Sequence, residues 1–260
     1  LSAPHWKGAD GLDMQGWLLL PPGSNAEEPL PMVTLVHGGP LLAHLNRYTP
    51  AYREQGLLAT TGIAVFMPNP RGSTGWGLEF AESNIGDMGG KDWEDILAGI
   101  DHCVKLGIAD PDRQGIAGNS YGGFMAAWAV TQTDRFKAAI VGAPCINLSS
   151  MYGQTDIGIT FGEHQWGGRP PENLDWYLDR SPLTYADRVS TPVLLLHGES
   201  DIRCPISQSE EYYVALKRLG KTVEFVRFPG CSHLFLRVGH PEMRRQYYDR
   251  VTAWFRRWLS

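Results

Sequence analysis

The chain has 260 residues, of which 43% are hydrophobic and 20% charged, with a formal net charge of −5. That length suits one α/β domain around a single central sheet, able to bury a core without disulfide or metal staples. The acidic balance argues against a nucleic-acid binder, which shows a basic face, and no apolar run approaches the ~18 residues of a membrane span.

Strand-length apolar runs alternate with helical patterns, which implies a mostly parallel sheet with helices on both faces. Residues 16–20 predict a first strand, stopped by Pro21-Pro22-Gly23. Residues 32–36 predict the next, ending at His37-Gly38-Gly39-Pro40, and a helix over 52–59 follows. A strand over 64–67 is closed by Pro68 and Pro70, and 91–105 carries a helical pattern. The brief strand 115–117 runs into Gly118-Asn119-Ser120, with a helix over 124–131 directly after it. Beyond the strand 138–141, residues 145–189 have no clean period and read as a structured excursion over one end of the sheet, where specificity loops belong. The strand 193–196, the helix 207–219 and the strand 223–228 then lead to a closing helix over 241–259. In that helix Arg244, Arg245, Arg250, Arg256 and Arg257 interleave with apolar residues at helical spacing and read as a solvated face. Trp254, Phe255, Trp258 and Leu259 read as core, and their other use, a homo-oligomer interface, stays open.

The pattern Gly118-Asn119-Ser120-Tyr121-Gly122 matches G-x-S-x-G in a strand-to-helix turn, a setting that exposes a serine hydroxyl on a strained backbone. Its partners are expected in the order acid, then histidine, each in a loop after a later strand. The strand 193–196 runs into His197-Gly198-Glu199-Ser200-Asp201, which puts Asp201 in the acid's place with Glu199 as the substitute. The strand 223–228 runs into Pro229-Gly230-Cys231-Ser232-His233. Serine needs a base to take its proton, so Ser120 is the candidate nucleophile and His233 the base. Asp201 would fix the imidazole tautomer. The two oxyanion N–H donors are expected from Tyr121 and, in the loop after residue 36, from Gly39.

Other candidates carry less. His102 and Asp101 are adjacent in a helical pattern and do not face each other. There is no H-E-x-x-H and no Cys/His cluster for a metal, and Gly72-Ser73-Thr74-Gly75-Trp76-Gly77 lacks the order and following acid of a dinucleotide fingerprint, so no cofactor is expected. Cys103, Cys145, Cys204 and Cys231 are widely spaced and read as free, buried thiols in a reducing compartment. With no signal peptide or membrane span in view, a cytoplasmic location is the expectation. Leu1 is not a natural start, so the chain reads as a fragment or a processed product.

The chain resembles the catalytic domain of the prolyl oligopeptidase family of serine peptidases, most closely its acylaminoacyl-peptidase branch. The resemblance is carried by His37-Gly38-Gly39-Pro40, Asn69-Pro70-Arg71-Gly72-Ser73-Thr74-Gly75-Trp76-Gly77, Gly118-Asn119-Ser120-Tyr121-Gly122-Gly123, Arg180-Ser181-Pro182-Leu183, His197 to Pro205, and Ser232-His233. It implies an α/β-hydrolase fold in one domain over 1–260, the residues Ser120, Asp201 and His233 as catalytic triad, and Gly39 with Tyr121 as oxyanion donors. It also implies cleavage of short or N-acylated peptides through an acyl-enzyme, and hydrolysis of activated esters. An acyl pocket of aromatic and aliphatic residues is implied after the nucleophile strand, where Tyr152, Phe161 and Trp166 are the candidates. Two departures stand out. Family members carry an N-terminal β-propeller for which this chain has no room, and Asn119 stands where the family has glycine. A stand-alone carboxylesterase with the same triad is the alternative, and a non-catalytic binding module on a hydrolase fold is the remote one.

Overall fold

The computed structural model describes residues 1–24, 28–47 and 54–260. Among them eight strands join one sheet in the order β1-β2-β4-β3-β5-β6-β7-β8. They are β1 (His5–Lys7), β2 (Asp13–Leu19), β3 (Leu30–Val36), β4 (Ala64–Asn69), β5 (Ala109–Asn119), β6 (Phe136–Gly142), β7 (Val193–Gly198) and β8 (Val223–Phe228). β1 and β2 pair antiparallel with each other and β2 with β4; every pairing from β4 through β8 is parallel.

The central strands have both faces covered, so their side chains are apolar in either direction. Met32 and Val36 of β3, with Ala64 and Phe66 of β4, turn to one core; Val33 and Leu35, with Val65 and Met67, turn to the other. The first core is closed by α3 (Lys91–Lys105) and α4 (Tyr121–Gln132), through Ile96, Ile100 and Phe124, and by Tyr212 and Leu216 of α8 (Ser207–Arg218). The second is closed by α1 (Glu54–Ala59), α9 (Phe235–Val238) and α10 (Pro241–Leu259), through Leu58, Phe235 and Phe255. Gly115 lets α10 dock, since a Cβ there would lie 2.6 Å from the Phe255 ring. Arg245, Arg250, Arg256 and Arg257 of α10 are exposed, as a solvated face requires, but Arg244 is half-buried with its Nε inside; Trp254, Phe255 and Leu259 are buried within the chain and Trp258 is half-buried. Of the expected helix 52–59, residues 52 and 53 lie outside the described residues.

The excursion between β6 and β7 contains α5 (Leu148–Gln154), a π-helical turn (Gly158–Gly162), α6 (Glu163–Gln165), α7 (Pro170–Asp179) and a 3₁₀ stretch (Pro182–Arg188). A smaller helix, α2 (Leu78–Glu82), precedes α3. The chain leaves β3 for β4 on one side and then crosses to β5 on the other. The order of the sheet therefore reverses between β3 and β5, and the crevice beyond their carboxyl ends is where open α/β sheets bind ligands. This is an α/β-hydrolase architecture.

Candidate active site

Ser120 sits between the last residue of β5 and the first of α4 with φ 63° and ψ −123°. For a residue with a Cβ that conformation is strained, by about 1–3 kcal/mol, and persists only where the surroundings enforce it. The glycines around it do so by letting three main chains touch. A Cβ on Gly118 would lie 2.4 Å from the carbonyl carbon of Gly122, one on Gly122 2.2 Å from the Val36 oxygen, and one on Gly123 2.2 Å from the Gly142 oxygen. Asn119 tolerates its side chain because the amide extends over Gly142, whose own Cβ would meet Asn119 Oδ1 at 2.8 Å.

Three side chains from three loops then form one hydrogen-bonded chain. His233 Nε2 is 3.0 Å from Ser120 Oγ, and His233 Nδ1 is 2.7 Å from Asp201 Oδ2. A carboxylate only accepts, so Nδ1 carries the proton and Nε2 is left to accept from the serine hydroxyl. Asp201 Oδ1 accepts from the main-chain N–H of Arg203 and of Cys204, each at 2.9 Å. Burial opposes the charge on Asp201, but hydrogen bonding from His197 and His233 outweighs it and holds the carboxyl at about 2. Burial likewise opposes protonation of His233, and the Asp201 hydrogen bond and charge outweigh it, so the imidazole is raised above its ordinary value. Glu199 takes no part: it forms an ion pair with Arg227 at 2.7 Å on the surface.

The serine opens into a cavity of about 1020 Å³ whose wall includes Gly38, Gly39, Tyr121 and His233. Gly39 has φ 127°, and a Cβ there would press to 2.5 Å on the Leu41 nitrogen. The Gly38 backbone is close enough that a Cβ would lie 3.6 Å from that of Ser120. Tyr121 is the first residue of α4, so its N–H has no acceptor within the helix. Phe161 and Trp166 line the same cavity, with Met151 and Ile157 beside them. Tyr152 does not. Its hydroxyl is held by Glu163 Oε1 at 2.7 Å and its ring packs edge-on against Tyr177. Helix α5 turns Met151 toward the cavity and Tyr152 away from it, a rotation that an aperiodic segment does not announce.

Two cysteines also meet here. Cys145 Sγ is 3.6 Å from Cys204 Sγ, which is 4.0 Å from Ser120 Oγ. Both are buried free thiols, as are Cys103 and Cys231. Among the described residues, no group of three or more His, Cys, Asp or Glu side chains is placed to hold a metal ion. Nor, among them, is any helix long and apolar enough to cross a membrane.

Comparison with known proteins agrees with this architecture. The chain is 43% identical over 247 residues to an uncharacterised peptidase, YuxL, of Bacillus subtilis (strain 168), covering 95% of this chain and 37% of that protein. It superposes on the acylaminoacyl peptidase of Pyrococcus horikoshii with a TM-score of 0.93 and 36% identity, over 99% of this chain and 42% of the other. A puromycin-hydrolysing peptidase of Mycobacterium tuberculosis gives a TM-score of 0.91 and 32% identity, over 100% and 39% of the two chains. The chain thus spans about two fifths of the length of these relatives. The model of the prolyl oligopeptidase family matches residues 51–260, a span that holds the serine turn, both later loops and the excursion. The chain belongs to the prolyl oligopeptidase family.

Proposed function

We propose that the chain is the catalytic module of a serine peptidase that cleaves short, preferentially N-acylated peptides through an acyl-enzyme, with Ser120 as nucleophile, His233 as general base and acid, and Asp201 as its orienting partner. The observation that carries this reading is the unbroken hydrogen-bonded chain from Ser120 Oγ through the His233 ring to Asp201. His233 Nε2 takes the hydroxyl proton as Ser120 Oγ bonds to the substrate carbonyl carbon, whose oxygen becomes an oxyanion. The N–H groups of Tyr121 and Gly39 receive that charge. Collapse of the intermediate breaks the C–N bond, and the proton on His233 leaves with the amine. Water then attacks the ester by the same route, with its proton going to His233, and releases the acid and the free serine.

Phe161, Trp166, Met151 and Ile157 make the acyl side of the cavity apolar, which suits an uncharged, blocked residue. The likeness to acylaminoacyl peptidase over nearly the whole chain supports the same substrate class. Rates on an acetyl-amino-acid anilide and on the matching short-chain ester test the proposal. Turnover of the anilide well above background is expected; turnover of the ester alone would leave a carboxylesterase in its place.

A further inference from the structure

Behind the serine turn lies a buried carboxyl that the mechanism above does not use. Asp92, in the first turn of α3, is completely buried, and its Oδ2 accepts a 2.8 Å hydrogen bond from the hydroxyl of Tyr121, itself only 3% exposed. Among the described residues, no cation neutralises Asp92. The nearby guanidinium of Arg71 is held by Asp95 and Asp10 at 2.7–3.0 Å. The other groups on Asp92 are the Trp93 N–H at 2.8 Å and the Asn84 amide at 3.5 Å, the long limit of a hydrogen bond. Burial pushes the acid up to about 7, against the pull of these three donors. A phenylalanine ring would fill the space of Tyr121 without requiring an unpaired carboxyl in the core, which is costly.

Tyr121 contributes two groups to the serine turn. Its main-chain N–H, in the first turn of α4, has no acceptor within the helix, and Tyr121 is among the residues lining the cavity, while its side chain is buried. The ring packs on Phe124 at 6.2 Å and on His37 at 6.4 Å, and His37 Nε2 is in turn bonded to Ser73 Oγ at 2.9 Å. His37 directly precedes Gly38 and Gly39. One ring therefore lies between its own main chain at the start of α4 and the side chain of the residue before Gly38 and Gly39, and its hydroxyl ties it to Asp92. Asn84, on the far side of Asp92, is bonded by the Gln165 amide at 3.3 Å, next to Trp166 in the apolar wall.

We propose that Asp92 is a positioning residue: by holding the Tyr121 hydroxyl it fixes the ring, and through the ring it aims the Tyr121 N–H, and the His37–Gly39 segment beside it, at the developing oxyanion. Asp92 touches no substrate and acts only through Tyr121. Because an oxyanion exists only after attack by Ser120, a misaimed donor lowers the rate of the chemical step and leaves ground-state binding alone. The inference rests on the assignment of Ser120 as nucleophile, whose failure is visible separately, as activity surviving in Ser120→Ala.

The test uses Tyr121→Phe, Asp92→Leu and Asp92→Asn in the full chain, with steady-state kinetics on the acetyl-amino-acid anilide and melting temperatures measured alongside. Tyr121→Phe keeps the ring, its packing and the N–H, and is the deciding variant should Asp92→Leu fail to fold. Tyr121→Phe and Asp92→Leu are expected to lose at least tenfold in kcat with KM within about twofold, since removing a whole oxyanion donor costs about 10²–10³. Asp92→Asn retains an oxygen that accepts from the hydroxyl and is expected to recover most of that loss. An unchanged kcat in Tyr121→Phe, a loss confined to KM, or an Asp92→Asn variant as slow as Asp92→Leu would overturn the proposal.

Discussion

At the level of single residues, the two acids of the loop after β7 behave oppositely. Asp201 is buried and accepts from His233 and from the N–H groups of residues 203 and 204, with the His197 ring 3.4 Å away. Glu199 is paired outward with Arg227. Asp201→Asn is expected to lower kcat on the order of 10⁴-fold, because the amide no longer selects the productive imidazole tautomer. Glu199→Gln is expected to leave kcat within about twofold, and steady-state rates on one substrate check both. The pH dependence follows from His233. Its raised pKa means that the ring gains a proton, and stops acting as a base, at a higher pH than free histidine does. The acid limb of kcat/KM is therefore expected to have its midpoint above 6.5. Asp201 shifts the other way. With its folded pKa near 2, its contribution to stability is complete only well above the ordinary value of 3.8 and is lost progressively as pH falls from there through 2.

Among the elements, the β5–α4 turn was the most legible from sequence and the excursion the least. A strand, a G-x-S-x-G and a helix are contiguous, so local chemistry dictates them, and the loops after β7 and β8 follow from two apolar runs. β1 leaves no signal in the sequence, because three residues with only Trp6 buried are too few to show an alternation. β5 extends upstream of its apolar stub to the buried Ala109, which pairs with Leu30 of β3, but between Ala109 and the stub residues 110–113 carry no apolar run and fall in a break of the register, so the sequence does not announce the extension. The Cys145–Cys204 contact and the Asp92–Tyr121 bond join residues from different elements, and Met151 rather than Tyr152 lines the cavity because of how α5 is rotated against the rest. Nothing in the local sequence marks such contacts before the fold closes. The close approach of α4 to β6 gives a direct check. Gly123→Ala would drive a methyl to 2.2 Å from the Gly142 oxygen, a main-chain atom with no side-chain freedom to yield. A loss of about 3 kcal/mol in urea unfolding is expected, together with loss of activity; wild-type stability would contradict the packing described for the turn.

For the whole molecule, the sheet reversal between β3 and β5 assembles the site, and buried polar ties hold its surroundings. Arg71, after β4, binds Asp95 of α3 through two hydrogen bonds of 2.7 and 2.9 Å and reaches Asp10 in the β1–β2 loop. Removing the cation leaves Asp95, which has no exposed side-chain surface, as an uncompensated buried charge. Arg71→Met is accordingly expected to cost about 3–5 kcal/mol by urea unfolding. The placement of the serine, histidine and aspartate at the carboxyl edge of a mainly parallel sheet was foreseeable from element order. The antiparallel β1–β2 edge was not, because hairpin pairing depends on partners and register more than on composition. The claim on which the rest depends is that Ser120 is the nucleophile, and active-site labelling by a fluorophosphonate, located by mass spectrometry, tests it most directly. One adduct on Ser120 in the native chain and none in Ser120→Ala is the expected result; an adduct that persists in Ser120→Ala, or a native chain that takes up no label, would contradict the account.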